Sequence, residues 1–358
     1  MWLINTAPRR PFTILALVIT LTTSVTAQPQ LDPATLAWMQ SVLDNWEVAC
    51  RRHLRITVQP LPWVIFYDQN HAWHLNPEKE VLPTREKPTA SLKFAGQSYP
   101  LWRLTHSQSL WVPGHDELHL ANLAPRVLPY ADGQKFFCII PLPAFFPTLA
   151  EAWPAATRDE LFRGLALHEL THTRQLGFTL PLFKRLRASA RVKLPENLDD
   201  NLIENTFSKN ESYKRLYEAE RDHLFRAIRA MFADDLTTCY QATAQALAVS
   251  QERKRRFMSN DQRVYSDWED VFLTLEGVAE WTHYQMTLDH LSPGQDWLTT
   301  LELITDPTNA WSQQEGAALF ILIDKLVPGW QARFLAPNPP SPFTVLREAL
   351  GKRASLKR

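Results

Sequence analysis

An excess of charge of one sign is missing from this sequence: 38 basic residues stand against 38 acidic ones over 358 positions. Without a net field the chain is not steered onto nucleic acid or anionic lipid, so neither is expected as a partner. Cysteine is scarce. The three, Cys50, Cys138 and Cys239, are widely spaced, whereas thiolate metal sites usually pair cysteines two to four residues apart, so a thiolate centre is excluded. One disulfide plus a free thiol is compatible with an oxidising compartment. Cys138, however, lies inside Phe136-Phe137-Cys138-Ile139-Ile140 and reads as part of a buried strand. No internal repeat is present. Long hydrophobic runs are missing too: the N-terminal one is too short for a comfortable membrane span, and the apolar segment 319–326 is interrupted by Asp324 and Lys325.

What is present begins with an export pattern. Arg9 and Arg10 precede an apolar stretch that starts at Phe12 and fades at Thr22, and Val25-Thr26-Ala27 offers small residues where a signal peptidase reads. Residues 1–27 are expected to be a signal peptide cut before Gln28. The chain would then be exported, periplasmic or secreted, without stable membrane insertion; an uncleaved N-terminal anchor is the alternative. No cysteine follows the cut, so no lipid anchor is expected. Hydrophobic residues make up 45% of the chain, enough for a large core, and 26 prolines with 13 tryptophans point to ordered loops.

Periodicity divides the remainder. Residues 31–57 carry Leu36, Met39, Leu43, Trp46 and Val48 at roughly helical spacing. Short β-rich runs follow at 63–67, 91–94, 110–112, 118–120 and 136–140, punctuated by Pro, Gly, Asn and Asp, and read as an antiparallel sheet. Helical patterns then cover 157–176, 200–232, 236–256, 262–287, 296–304 and 311–334. Strands first and helices afterwards predict an α+β fold: a small antiparallel sheet beside a motif-bearing helix, then a mainly helical lobe. The expected segments are 28–150 for the N-terminal helix and β-rich lobe, 151–335 for the helical lobe, and 336–358 for a C-terminal extension whose last residues, 351–358, form a loose tail.

Chemistry concentrates in Leu165-Ala166-Leu167-His168-Glu169-Leu170-Thr171-His172. Thr157 with Glu160 makes a capping box that starts a helix there, and Gly177 is placed to end it. Leu161, Leu165, His168 and His172 form one stripe, so the two imidazoles extend a buried face. Residues four apart stand one turn apart, close enough to reach one ion. Glu169 lies about 100° round from His168, placed for a water rather than for the ion itself. Two histidines leave one protein position open on a tetrahedral zinc, and no third histidine follows closely. The candidate is Glu276 in Leu275-Glu276-Gly277-Val278-Ala279-Glu280-Trp281, where Gly277 is expected to let this second helix approach the motif helix closely. Glu280, one turn on, is a rival ligand or an outer partner. Glu220 and His223, one turn apart, are further rivals.

His168-Glu169-Leu170-Thr171-His172 followed by Glu276-Gly277-Val278-Ala279-Glu280 resembles the gluzincin zinc peptidases, the broad group of thermolysin and the zinc aminopeptidases. The resemblance covers the core from about 60 to 335. It implies zinc held by His168, His172 and Glu276, with Glu169 as general base in peptide-bond hydrolysis, and a peptide or protein as substrate. It also implies a small sheet whose edge strand pairs with an extended peptide, for which 135–141 is the candidate. The spacing between His172 and Glu276 is longer than in the familiar members, so the helices around Tyr217-Glu218-Ala219-Glu220-Arg221-Asp222-His223 would be an insertion. His283, Tyr284, His223 and Tyr265 are possible donors to an oxyanion. A non-catalytic, zinc-stabilised envelope binding or assembly protein is the alternative function, and the intact Glu169 speaks against it, since a structural site needs no base.

Other histidines read as scaffold. His115 and His119 are also four apart, but Pro113-Gly114 precedes them and Leu118-His119-Leu120 alternates like a strand, in which such a pair is about 13 Å apart. His71 and His74 read as capping a strand end. The basic run Arg253-Lys254-Arg255-Arg256 reads as a solvated helix face.

Overall fold

Two of the most apolar runs in the chain, Trp63–Tyr67 (β1) and Phe136–Pro141 (β8), are buried along their whole length, as strands covered on both faces are. Between them in sequence come His71–Leu75 (β2), Ala90–Phe94 (β3), Gln97–Thr105 (β4), Ser109–Leu110 (β5), Leu118–His119 (β6) and Arg126–Pro129 (β7). Six of these form one sheet in the order β3-β4-β2-β1-β8-β7, and β5 pairs with β6 separately. This computed structural model describes residues 31–78, 87–106, 109–110, 118–119, 125–130, 135–145, 158–195, 198–290, 296–305 and 310–356. The expected signal segment 1–27, His115 and Thr157 lie outside the described residues.

The α+β class holds, with three corrections to the sheet. It is mixed, because β1 and β8 run parallel, with Val64 opposite Cys138; the long chain between them supplies the crossover that a parallel pairing requires. The run 135–141 is not the edge: β7 pairs along its outer side, Val127 opposite Cys138, leaving β3 and β7 as the edges. An edge as apolar as β8 would be an open template for aggregation. His71 opens β2, at a strand end, but His74 lies within the strand.

Helices cover the sheet face bearing Val64, Phe66, Leu75, Cys138 and Ile140, and one continuous apolar core joins them. α1 (Pro33–Val48) starts at an Asp32 cap that accepts from Thr35 N at 3.1 Å and continues as a π-helical turn through Leu54. α2, the motif helix, spans Arg158–Ser189. It does not stop at Gly177, because the residues beyond find partners: Phe183 stacks on Trp268 and Phe272, with ring centroids 4.8 and 5.5 Å away. Such burial outweighs the roughly 1 kcal/mol that a helical glycine costs. The remaining helices are α3 (Leu202–Phe207), α4 (Glu211–Phe232), α5 (Leu236–Phe257), α6 (Arg263–Asp289), α7 (Trp297–Ile304), α8 (Trp311–Leu326), α9 (Gln331–Phe334) and α10 (Pro342–Leu356). The expected tail is helical as far as Leu356, with Phe343, Val345 and Leu346 buried and Arg353 over the Tyr240 ring at 4.1 Å. No helix among the described residues is long and apolar enough to cross a membrane.

Two glycines set how the helices meet. A Cβ on Gly277 would stand 2.7 Å from the Gly316 carbonyl oxygen, and one on Gly316 would stand 2.8 Å from the Gly277 Cα. Gly277 thus lets α8 touch α6 backbone to backbone. The glycine that serves the contact between α2 and α6 is Gly164, whose Cβ would lie 2.7 Å from His283 Nε2 and 2.9 Å from Thr287 Oγ1.

Candidate metal centre

α2 and α6 pack antiparallel: Gly164 faces His283 and Thr287, His168 faces Glu276 and Glu280, and Gln175 reaches the carbonyls of Thr274 and Leu275. His168 Nε2 and His172 Nε2 stand 3.0 Å apart, and Glu276 Oε2 lies 3.4 Å from the first and 3.6 Å from the second. All three residues are buried. Glu280 is on the far side of His168, its Oε1 3.3 Å from Nδ1. It therefore stands behind the imidazole, not among the donors that converge.

The polar neighbours of the two rings set which nitrogens carry protons. The Gln175 amide donates to Leu275 O at 3.1 Å and Thr274 O at 3.4 Å, so its Oε1 faces His172 Nδ1 at 3.0 Å and accepts from it. His168 Nδ1 faces a carboxylate. With both Nδ1 positions protonated, two Nε2 lone pairs and a carboxylate oxygen point at one spot. Such lone pairs repel unless a cation or proton lies between them. Ligands on a tetrahedral zinc at about 2.0–2.1 Å stand about 3.3 Å from one another, close to the spacings here. The donor set fits a zinc ion, and among the described residues it is the one cluster of histidine, cysteine and acidic side chains suited to a metal.

The field of the site favours positive charge. Burial alone would push His168 down, but Glu280 and Glu276 outweigh it and hold that imidazole well above its ordinary range. His172 is raised in the same way, Glu276 overcoming burial. Burial would raise Glu276, yet His172 and His168 bring it far below the usual carboxylate range. Glu169 is raised: burial dominates, and the two histidines offset only part of it. Burial, and after it the charge of Glu169, raises the Cys138 thiol of β8.

Of the rivals, Glu220 is far from this arrangement. It accepts from Arg253 Nε at 2.7 Å in a buried network with Glu269 and Glu315, which ties α4, α5, α6 and α8 together. Arg253 is fully buried, not on a solvated face. His223 is half-buried beside Arg226 and Asp222. Of the possible oxyanion donors, His283 lies behind Glu280, Tyr265 packs on Phe207, and the Tyr284 hydroxyl is buried without a hydrogen-bond partner among the described residues. All three cysteines are free and buried.

No protein-family model, curated protein or solved structure matches this chain. The site therefore has to be read from its own geometry. That geometry adds residues the motifs did not flag. Gln175 orients His172, Gly164 admits His283, and Asp200 stands within electrostatic reach of Glu276 and His168, its carboxyl raised to about 7 by burial and then by Glu276. Gln313 Nε2 donates to Asp200 at 3.1 Å. Gln175 was legible as the residue one turn beyond Thr171 and His172 on the same helix; Asp200, in a turn between helices, carries no local signal. A pocket of about 410 Å³ opens at the starts of β1 and β8, walled by Leu61, Trp63, Tyr130 and Phe136 and floored by Thr173, one turn along α2 from Glu169.

Proposed function

We propose that this chain is a zinc-dependent hydrolase of peptide bonds, exported from the cytoplasm, in which His168, His172 and Glu276 hold the metal and Glu169 is the general base. The observation that carries the reading is the convergence of His168 Nε2, His172 Nε2 and Glu276 Oε2, with a buried carboxylate, Glu169, beside them but outside the donor set. A purely structural site fills its fourth position from the protein, and among the described residues three donors converge here.

A zinc ion so held lowers the pKa of a bound water to about 7 and polarises a carbonyl. The residues do the rest. Glu276 offsets part of the ion's charge in a buried place, where an unpaired charge is costly. Gln175 and Glu280 hold the two imidazoles with Nε2 turned inward. Glu169, raised by burial, accepts the proton of the attacking water as the water oxygen bonds to the scissile carbon. It then gives the proton to the leaving amine as the carbon–nitrogen bond breaks. The pocket beside Thr173, one turn along α2 from Glu169, could take a substrate side chain.

Purified protein should bind about one zinc per chain and digest a broad peptide library. Glu169→Gln keeps every ligand and removes the base, so it should retain the metal and lose turnover by at least about a hundredfold, the lower range for general-base catalysis. Undiminished cleavage by Glu169→Gln sinks the mechanism. Full zinc occupancy with no cleavage of any peptide favours the binding or assembly protein instead.

A further inference from the structure

Glu280 is buried, with 4% of its surface exposed, and its two oxygens face two different rings. Oε1 stands 3.3 Å from His168 Nδ1 and Oε2 stands 3.3 Å from His283 Nδ1. A buried carboxylate with one oxygen unmatched carries a large desolvation penalty. The second ring stands opposite that second oxygen.

His283 has little else to do where it sits. It is buried to 4% exposure, one turn along α6 from Glu280. Neither ring nitrogen of His283 nor Thr287 Oγ1 forms a hydrogen bond among the described residues. The polar partner of the ring is Glu280 Oε2, which Nδ1 approaches at ion-pair distance, 3.3 Å. The seat of the ring is also specific. It occupies the space where Gly164 lacks a Cβ, and Gly164 lies one turn before His168 on α2. A glycine inside a helix costs roughly 0.5–1 kcal/mol relative to alanine, and the His283 ring explains why none stands here.

We infer that His283 is a positioning residue for the metal site: it holds Glu280 Oε2, Glu280 Oε1 holds His168 Nδ1, and Gly164 is the gap that admits its ring. The inference rests on the proposed zinc reading. The line His283–Glu280–His168 fixes the imidazole plane and keeps the Nε2 lone pair turned toward Glu276 and His172. It makes Gly164 and His283, on two helices, one functional unit.

The test compares full-length parent, His283→Leu, His283→Asn and Gly164→Ala for zinc affinity by chelator competition, with the thermal midpoint of each metal-free protein as the check on folding. An outer partner of a metal ligand is typically worth about 10–100-fold in affinity, and His283, one step further out, should give about tenfold on change to Leu. Asparagine can put a side-chain N–H where Nδ1–H stands, so His283→Asn should recover to within about threefold of the parent. Gly164→Ala should weaken zinc about as much as His283→Leu, and the double variant should be no weaker than either, because both remove one interaction. His283→Phe, a ring without the N–H, replaces His283→Leu if the latter does not fold. Parent-like zinc affinity in His283→Leu or His283→Phe overturns the inference while leaving the zinc reading intact. So does an Asn variant as weak as Leu, since the N–H would then be irrelevant. A parent that binds no zinc overturns the zinc reading and, with it, this one.

Discussion

A carboxylate in front of an imidazole and a carboxylate behind it do different work, and the two can be told apart by measurement. Glu276 meets the Nε2 atoms of both histidines; Glu280 meets only Nδ1 of one. Glu276→Ala removes a donor and should weaken zinc binding by well over a hundredfold, whereas Glu280→Ala should cost about 10–100-fold. Equal losses in a chelator competition would mean the front and back assignments are wrong. His74 poses a different problem. It is fully buried in β2, stacked on Trp63 at 5.5 Å, with neither ring nitrogen hydrogen-bonded. Burial pushes its pKa down to about 3, against about 6.5 in the unfolded chain. Between those values the unfolded state binds the extra proton, so stability falls as pH falls through 6.5 toward 3 and is complete above 6.5. The loss from this residue between pH 7 and pH 5 should be about 2 kcal/mol. His74→Phe, which keeps a stacked ring, should flatten the pH dependence of the urea midpoint by that amount; an unchanged slope counts against the account.

At the scale of helices, the metal site depends on contacts that do not touch it. Glu276 is followed by Gly277, and Gly277 lies against Gly316 of α8. A methyl group at Gly316 would meet Gly277 N and Cα at 2.8 Å and Leu273 O at 3.1 Å, all backbone, so one helix has to shift. Gly316→Ala should therefore cost about 1–3 kcal/mol, as overpacking does, and also lower zinc affinity. Gly351→Ala is the control: nothing lies within 4 Å of a Cβ there, the position is helical and exposed, and about 0.5–1 kcal/mol of stabilisation is expected. Denaturation midpoints moving the same way in both would refute the argument. These contacts also mark where sequence reading stops. His168, Glu169 and His172 are legible because their relation is local, one helical turn, and Glu276 is legible through its neighbour Gly277. Which helix needs that glycine is a tertiary fact, and the answer is α8 rather than α2. The end of α2 is not local either, because Phe183 has its partners on α6. Strand β8 reads as an edge because strand order is not written in a strand's own residues; β2 and β4 give no strand signal because polar side chains such as His71, Gln97 and Arg103 interrupt their patterns, and β7 gives none because it is four residues long and ends in a proline. Glu220 was a rival ligand only until Arg253, on the next helix, accounted for it.

Across the whole molecule, the sheet and the helices share one apolar core that runs from Trp38 and Val64 through Leu170 and Phe320 to Leu346. The metal donors sit inside that shared structure, on the two helices whose packing joins its middle. Unfolding either side exposes the other, so a single cooperative transition is expected with and without metal. Zinc that binds only the folded chain adds RT ln(1 + [L]/Kd), about 2.7 kcal/mol at a hundredfold excess over Kd. For a chain larger than 250 residues each kcal/mol moves the thermal midpoint by about 2 °C, so chelation should lower it by about 5 °C from that zinc concentration. Restoring zinc should bring it back. His168→Ala lacks a donor and should unfold at the same temperature in zinc and in chelator. Two calorimetric peaks in the parent would show that the sheet and the helices hold separate cores. A parent midpoint indifferent to zinc would mean that the convergence of His168, His172 and Glu276 is sustained by protons alone, which the raised histidines make the natural competitor of the ion.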